Sequence, residues 1–158
     1  MQSKIFYCKF WFRIKKIALE HWSEEMAYAK HLADEPYTVL VDSESQPSSF
    51  IEVIKNKEMI GVGFLDKFQR EYLIYQFKII KNDAVFLTMA VHRDFIGETD
   101  IISNGTSYIF KEDGHTFITE EDFINKTINK YEVHTDISTN YDKIPEFGCY
   151  ESLIKIER

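Results

Sequence analysis

The stretch from Arg70 to Glu121 constrains the fold more than any other part of the chain. It contains long runs of β-branched and aromatic residues, such as REYLIYQFKII and DAVFLTMAVHRDF, which are separated by short polar segments. Val, Ile, Tyr and Phe are enriched in strands, and such runs between polar turns are typical of antiparallel hairpins. We therefore predict that this stretch is a meander of antiparallel strands and the structural centre of the protein.

Two features inside the stretch support this prediction. Along most of residues 72–80 and 85–95, every second side chain is apolar, so each predicted strand has one apolar face. The residues on that face are Leu73, Tyr75, Phe77 and Ile79 in the first strand and Val85, Leu87, Met89 and Val91 in the second. The pair Asp113-Gly114 lies between two further apolar runs and predicts a tight hairpin there.

The rest of the chain supplies further elements. Ser23 is a good N-cap, Trp22, Met26, Ala29 and Ala33 recur at helical spacing around it, and Pro36 is a stop, so we predict one helix here. Residues 119–131 read either as a helix, with Thr119 and Asp122 in a capping box, or as two strands joined at Asn125-Lys126. We favour the strands, because an isolated helix of this length is marginal. The other predicted strands are residues 4–14, 37–41, 50–54, 59–65 and 150–156.

These elements predict an α+β fold that is predominantly antiparallel β. With 158 residues, 44% of them apolar, the chain has the size of a single domain, 1–158, and can bury roughly 70% of the surface of its unfolded state. We expect a single meander sheet of about eight to ten strands, twisted or partly closed, with one helix in the N-terminal half.

The two cysteines, Cys8 and Cys149, form no C-x-x-C pair, and neither a signal peptide nor a membrane-spanning run is recognisable. We therefore expect a cytoplasmic protein with reduced thiols. A Cys8–Cys149 disulfide is the less favoured alternative, which requires the termini to pair as neighbouring strands.

The sequence contains no recognisable catalytic or metal-binding motif. The five histidines have no metal-ligand spacing, and no nucleophile elbow or phosphate-binding glycine loop is present. We predict no catalytic residues, no metal and no cofactor. One alternative is a small ligand-binding module, or a ribonuclease-like hydrolase with His92 and His115 as an acid/base pair and Arg93 nearby. Another is a structural subunit that docks through an apolar patch on residues 4–14.

The net charge of −7 comes from one window. Residues 94–122 contain eight acidic residues and one basic residue, Lys111, so the remainder of the chain is neutral. A field of this sign repels nucleic acid and anionic membranes and attracts basic partners. The alternative is a solvated face that provides only solubility.

Four segments resemble a family of small bacterial proteins of unassigned chemistry: FIEVIKNKEMIGVGFLDKFQREYLIYQF, VFLTMAVHRDF, GTSYIFKEDG and IPEFGCYESLI. The family carries similar F-L-D…R-E-Y-L-x-Y-x-F, F-L-T-M-A…R-E-F and P-E-F-G-x-Y motifs, which are strand and turn motifs. Asp94 stands where the family pattern has Glu, and Cys149 stands where it has an acid.

More loosely, the chain resembles immunity proteins of polymorphic-toxin and contact-dependent growth-inhibition systems, which are short, acidic and free of catalytic motifs. This resemblance implies a binding protein that caps a cognate, basic, nuclease-like toxin domain, without nucleic acid or membrane as a partner. It leaves the oligomeric state open. The carboxylates that we expect to contact the toxin are Asp94, Glu98, Asp100, Glu112, Asp113, Glu120 and Glu121.

Overall fold

The computed structural model describes residues 2–81 and 83–158, and in them eleven strands form one antiparallel sheet accompanied by one α-helix. Two short 3-10 turns cover Lys55–Lys57 and Ser138–Asn140. The strands and the helix are β1 (Ile5–Phe12), β2 (Ile17–Trp22), α1 (Glu24–Leu32), β3 (Tyr37–Val41), β4 (Ser49–Ile54), β5 (Met59–Leu65), β6 (Glu71–Ile80), β7 (Ala84–Phe95), β8 (Ile102–Phe110), β9 (His115–Asp122), β10 (Thr127–His134) and β11 (Tyr141–Lys143).

The sheet is an open meander. Its order is β10-β9-β8-β7-β6-β5-β4-β3-β1-β2, and the short β11 pairs with the beginning of β7. The prediction of a mainly antiparallel sheet with one early helix is confirmed, and the sheet is not closed. Strands β9 and β10 also confirm the two-strand alternative for residues 119–131, and the hairpin at Asp113-Gly114 joins β8 to β9.

The helix begins where the sequence predicts. The Ser23 side chain accepts a hydrogen bond of 3.2 Å from the Met26 amide, and Glu24 and Glu25 occupy the first turn. The predicted apolar face is wrong, however. Ala27 is the buried residue, whereas Met26 is exposed and Trp22 ends β2. An alanine at the contact lets the helix lie close to the sheet.

Strand β7 contains a bulge that changes the predicted face. Gln76 pairs with Met89, but the next residue, Phe77, pairs with Leu87. Since paired residues point to the same side of a sheet, Leu87 and Met89 lie on opposite faces. The prediction that Val85, Leu87, Met89 and Val91 share one face is therefore wrong beyond Leu87.

Strand β2 was not predicted, because its hairpin lacks the usual turn residues. The turn from β1 passes through Lys16, which adopts a left-handed conformation with φ of 55°. Cys8 and Trp11 lie in the same buried cluster although they are three residues apart, so strict alternation breaks along β1. The pairing of β1 with β3 ends at Cys8, and the rest of β1 pairs with β2 alone.

The front face of the sheet, which we define by Tyr7, Val39, Ile51, Val62 and Tyr75, carries the main core. The helix covers it with Ala27, and the C-terminal segment, residues 144–158, covers it with Tyr150 and Leu153. The predicted strand at residues 150–156 is wrong. This segment is a series of turns that inserts two side chains three positions apart into the core.

Polar contacts fix the C-terminal segment to the sheet. The hydroxyl of Tyr150 lies 2.9 Å from that of Tyr37, whose hydroxyl lies 3.0 Å from Nδ1 of His31 in the helix. The Arg158 side chain is only 7% exposed; its guanidinium lies 4.7 Å from the ring centroid of Phe77 and 3.7 Å from the Asp142 carboxylate. These contacts join the helix, the sheet and the segment.

The opposite face, the back face, is covered by the β1–β2 hairpin. Trp11 stacks on Phe50 with 6.2 Å between ring centroids, and the Arg13 guanidinium lies 4.9 Å from the Phe50 centroid. Arg13 also pairs with Glu52 at 2.6 Å and with Glu71 at 3.2 Å. The front cover lies over β1 and β3–β7, whereas the buried cluster beneath the back cover contains residues of β1 and β3–β5. Strands β8 and β9 are only partly buried, and every residue of β10 is exposed.

We predict that Leu153→Ala lowers the free energy of unfolding by about 2–5 kcal/mol, because Leu153 is fully buried and its truncation leaves a cavity. Urea unfolding followed by tryptophan fluorescence measures the change. Ile156→Ala, in the same segment but at a side chain 55% exposed, is the matched control and should change stability by less than about 0.5 kcal/mol. Equal losses in both variants would contradict the role assigned to the C-terminal segment.

Candidate interaction surface

Five of the seven predicted contact residues lie at one end of the sheet. Strand β7 ends there, β8 begins there and β9 ends there, because consecutive strands are antiparallel. Asp94 pairs with Asn104, which in turn pairs with Asp122. We call this region the acidic end; it contains Asp94, Glu98, Asp100, Glu120, Glu121 and Asp122.

The structure does not bring Glu112 and Asp113 to this region. They lie in the β8–β9 turn, at the far end of the nine-residue strand β8, roughly 30 Å from the acidic end at the rise of an extended strand. There Glu112 accepts a hydrogen bond from the Tyr141 hydroxyl, and Asp113 accepts one from the His115 amide. The acidic window of the sequence therefore forms two separate groups.

Arg70 holds the loop that carries Glu98 and Asp100. Its guanidinium donates to the carbonyl oxygens of Gly97 and Thr99, at 2.7 and 2.8 Å. The same group lies 4.6 Å from the centroid of Phe95 and pairs with Asp66 at 2.9 Å. The turn between β5 and β6 thus fixes the β7–β8 loop.

A second contact reaches the same loop from the β1–β2 hairpin. The Lys16 ammonium donates to the Asp100 carboxylate at 2.7 Å and to the Phe68 carbonyl at 3.1 Å. Asp100 therefore has a cationic partner within the chain. Its negative charge is partly neutralised before any other molecule approaches.

Glu120 and Glu121 point to opposite faces of β9. Glu120 is on the front face, where it accepts a hydrogen bond from the Tyr131 hydroxyl. Glu121 is on the back face, in register with Gly105 and Ile128. Gly105 has no side chain, and two shallow depressions of about 240 and 340 Å³ are both lined by Gly105, Thr106 and Glu121. A carboxylate at such a depression is accessible to a cationic side chain.

Three carboxylates of the acidic end, Asp94, Glu98 and Glu121, have no ion-pair partner among the residues that the structure describes. Asp122 is engaged differently: it accepts hydrogen bonds from the backbone amide and the side chain of Asn125 and from the Ile124 amide, and those bonds lower the pKa of its carboxyl. Two basic residues, Arg93 and Lys126, belong to the same region.

The alternative acid/base pair does not form. His92 is in register with Thr106 and Glu120, whereas His115 is five residues away from Glu120 along β9. At the rise of a strand this separates the two imidazoles by roughly 17 Å or more. His115 instead stacks on Phe117 and lies 3.0 Å from Glu132. Arg93 points to the back face, away from His92.

Sequence reasoning missed a cleft of about 370 Å³ between the β1–β2 hairpin and the back face. Arg13, Lys16, Arg70 and Arg93 line it together with Glu71 and Asp100. Burial raises the pKa of Glu71, although the nearby Arg13 and Arg93 oppose the shift. Only the tertiary position of the hairpin creates this cleft, so no local pattern could have revealed it.

In the described part of the chain the two cysteines are not paired, and no cluster of metal-ligating side chains is present. Cys8 is buried, which raises the pKa of its thiol to about 12, and Cys149 is exposed; both are free, so the disulfide alternative is not formed. Within residues 2–81 and 83–158, no group of three or more His, Cys, Asp or Glu side chains could hold a metal ion. No helix in those residues has the length and apolar character needed to cross a membrane.

Comparisons with protein-family models, with curated proteins and with solved structures found no match for this chain.

We predict that Arg70→Ala speeds hydrogen exchange at the amides of residues 96–101, because it removes both carbonyl contacts to that loop. Exchange followed by mass spectrometry on peptides of this loop measures the effect. Lys67→Ala, in the same turn and with only a ring contact to Phe68, is the control and should leave these peptides unchanged. Unaltered exchange in Arg70→Ala would rule out this anchoring.

A pH dependence follows from Asp66. Its burial favours the neutral acid, but hydrogen bonds from the Arg70 backbone and side chain and from the Phe68 amide outweigh burial and lower the pKa of the carboxyl. The resulting stabilisation is complete above the unfolded-state pKa, about 3.9, and is lost as pH falls through the lower folded value. We expect Asp66→Asn to cost about 1–3 kcal/mol at pH 7. Urea unfolding should show that the difference in free energy of unfolding between variant and wild type shrinks below pH 4. A difference that stays constant with pH would contradict the stabilising role of the ionised Asp66.

Proposed function

We propose that this protein is an immunity-type inhibitor that neutralises a cognate bacterial toxin domain by capping it, the toxin being basic and nuclease-like. The observation that supports the proposal most strongly is the group of Asp94, Glu98 and Glu121, which lack ion-pair partners in the described residues and lie at one end of the uncovered part of the sheet. A carboxylate without an internal partner loses nothing inside the chain when it pairs with another molecule.

The mechanism is electrostatic. A nuclease channel is lined by Lys and Arg because it binds phosphates, so it attracts the acidic end over a distance of about one Debye length, roughly 8 Å at physiological salt. Steering of this kind accelerates association by 10-fold to 1000-fold or so at low ionic strength. Once docked, carboxylates such as Glu121 pair with the cations that would otherwise hold the nucleic acid, and the channel is blocked.

The predicted contacts take different roles in this proposal. Asp94, Glu98 and Glu121 are the primary contacts, whereas Asp100 is shared with Lys16 and Glu120 with Tyr131. Glu112 and Asp113 lie at the other end of the sheet, and in this mechanism they contribute only to the long-range field. The site of action is the cytoplasm, where a nuclease toxin meets its substrate.

Affinity co-purification from the native host, with a tagged chain at moderate salt, tests the proposal. The expected result is one stoichiometric basic protein whose nuclease activity the purified chain abolishes. If no protein is recovered across a salt series, the proposal fails, and a ligand screen by thermal shift, directed at the hairpin cleft, becomes the next experiment.

With such a partner in hand, we predict that the triple reversal Asp94→Lys, Glu98→Lys and Glu121→Lys slows association at least about tenfold at low ionic strength, and less at high salt because the field is then screened. Stopped-flow kinetics measure the rate. The double reversal Glu112→Lys and Asp113→Lys, at the other end, changes the net charge by four units against six for the triple reversal. On a logarithmic scale it should slow association by much less than about two-thirds of the effect of the triple reversal. A larger effect of the double reversal would show that the toxin contacts the β8–β9 turn, and would contradict the contact proposed at the acidic end.

A further inference from the structure

The two edges of the sheet differ in a way that matters for self-association. Strand β2 has six residues, and Glu20 interrupts it with a left-handed φ of 53°. Strand β10 has eight residues in unbroken register with β9, no proline and no residue of positive φ. An edge that is long and regular presents unpaired N–H and C=O groups to another strand, whereas an irregular edge does not.

Strand β10 is also exposed along its whole length. All eight of its residues are exposed, including the apolar Ile128, Tyr131 and Val133. Natural edge strands are normally protected by a bulge, a proline, a covering element or charged side chains, Lys above all. In the described residues β10 has only the charged side chains, Lys130 and Glu132, so a partner strand that fits it must place opposite charges against these two residues.

A second copy of β10 fits, and symmetry restricts how it can. In an antiparallel pair, residues directly opposite each other point to the same face of the sheet. A two-fold dimer therefore requires a register in which one residue faces its own copy. Registers centred on Lys130 or on Glu132 place identical charges directly opposite each other, which is destabilising.

The register centred on Tyr131 satisfies the charges. It places Lys130 opposite Glu132 of the second copy and, by symmetry, repeats that pair on the other side of the axis. Asn129 then faces Val133, and Ile128 faces His134. Of the registers centred on Lys130, Tyr131 and Glu132, only the one centred on Tyr131 therefore places opposite charges against each other.

Repulsion between the two acidic ends does not oppose this arrangement strongly. An antiparallel joint places Thr127 of one copy beside residue 135 of the other, so the two Thr127 residues are roughly 26 Å apart. Since the acidic ends adjoin Thr127, they lie at opposite ends of the joint. That separation exceeds two Debye lengths at physiological salt, so their repulsion is largely screened.

We propose that two copies of this chain pair through their β10 edges, with Tyr131 facing Tyr131 and two Lys130–Glu132 ion pairs, to form one continuous sheet. The inference is independent of the proposed function, because the joint runs along the edge of the sheet. Its failure would leave the toxin-binding account untouched.

Charge exchange between two variants tests the pairing and its register together. Lys130→Glu places carboxylates opposite carboxylates in a dimer of identical chains, and Glu132→Lys places ammonium groups opposite ammonium groups. Each variant alone should dimerise at least tenfold more weakly than wild type. When the two are mixed, every ion pair is restored, and a heterodimer should form with near wild-type affinity.

Sedimentation velocity over a concentration series, with one variant fluorescently labelled for the mixture, measures these affinities. Lys15→Glu at the tip of the β1–β2 hairpin makes the same charge change away from the joint and should leave dimerisation at the wild-type level. A wild-type chain that remains monomeric at every concentration overturns the proposal. So does a dimer that survives in the separate variants, or a mixture that forms no heterodimer.

A cross-link locates the two-fold axis. In a Cys149→Ser background, which removes the exposed thiol, Tyr131→Cys should oxidise to a disulfide-linked dimer because the two side chains face each other. Asn129→Cys lies on the same face, but its two copies are roughly 13 Å apart in this register, too far for a disulfide. Equal cross-linking of both variants, or of neither, contradicts the register.

Discussion

The structure depends on how a single sheet of eleven strands is covered on both faces. A sheet that long has apolar residues on each side, and one nine-residue helix is too short to bury either side alone. The C-terminal segment completes the front cover with Tyr150 and Leu153, and the curled β1–β2 hairpin provides the back cover with Trp11. Charged contacts at the edges, from Arg158 and Arg13, hold each cover in place.

Because neither buried cluster extends past β7, strands β8–β10 lie beyond both covers. This extension carries the carboxylates of the acidic end and an exposed edge strand. Its loops are nevertheless fixed to the covered part: Arg70 from the β5–β6 turn and Lys16 from the hairpin both bind the β7–β8 loop. The molecule thus joins a well-packed half to an accessible half whose main loop is held in one conformation, which is the arrangement that a rigid binding surface requires.

Much of the fold could be predicted, because alternation, the Ser23 cap and the Asp113-Gly114 turn are local signals. The failures have physical causes outside local sequence. A bulge at Thr88 reverses the faces of β7, the β1–β2 turn uses Lys16 in place of glycine, and residues 150–156 alternate but serve as a cover. The acidic window was visible as a charge count. Its division into two ends, and the separation of His92 from His115, depend on strand direction and register.

In the proposed function, the acidic end is the surface that meets the toxin domain. Hydrogen exchange of the purified complex, compared with the free chain, tests it most directly. The account predicts slower exchange in peptides covering residues 96–101 and 119–128, with little change in the helix or the β1–β2 strands. Protection confined to α1, to the C-terminal segment or to the β8–β9 turn would contradict it.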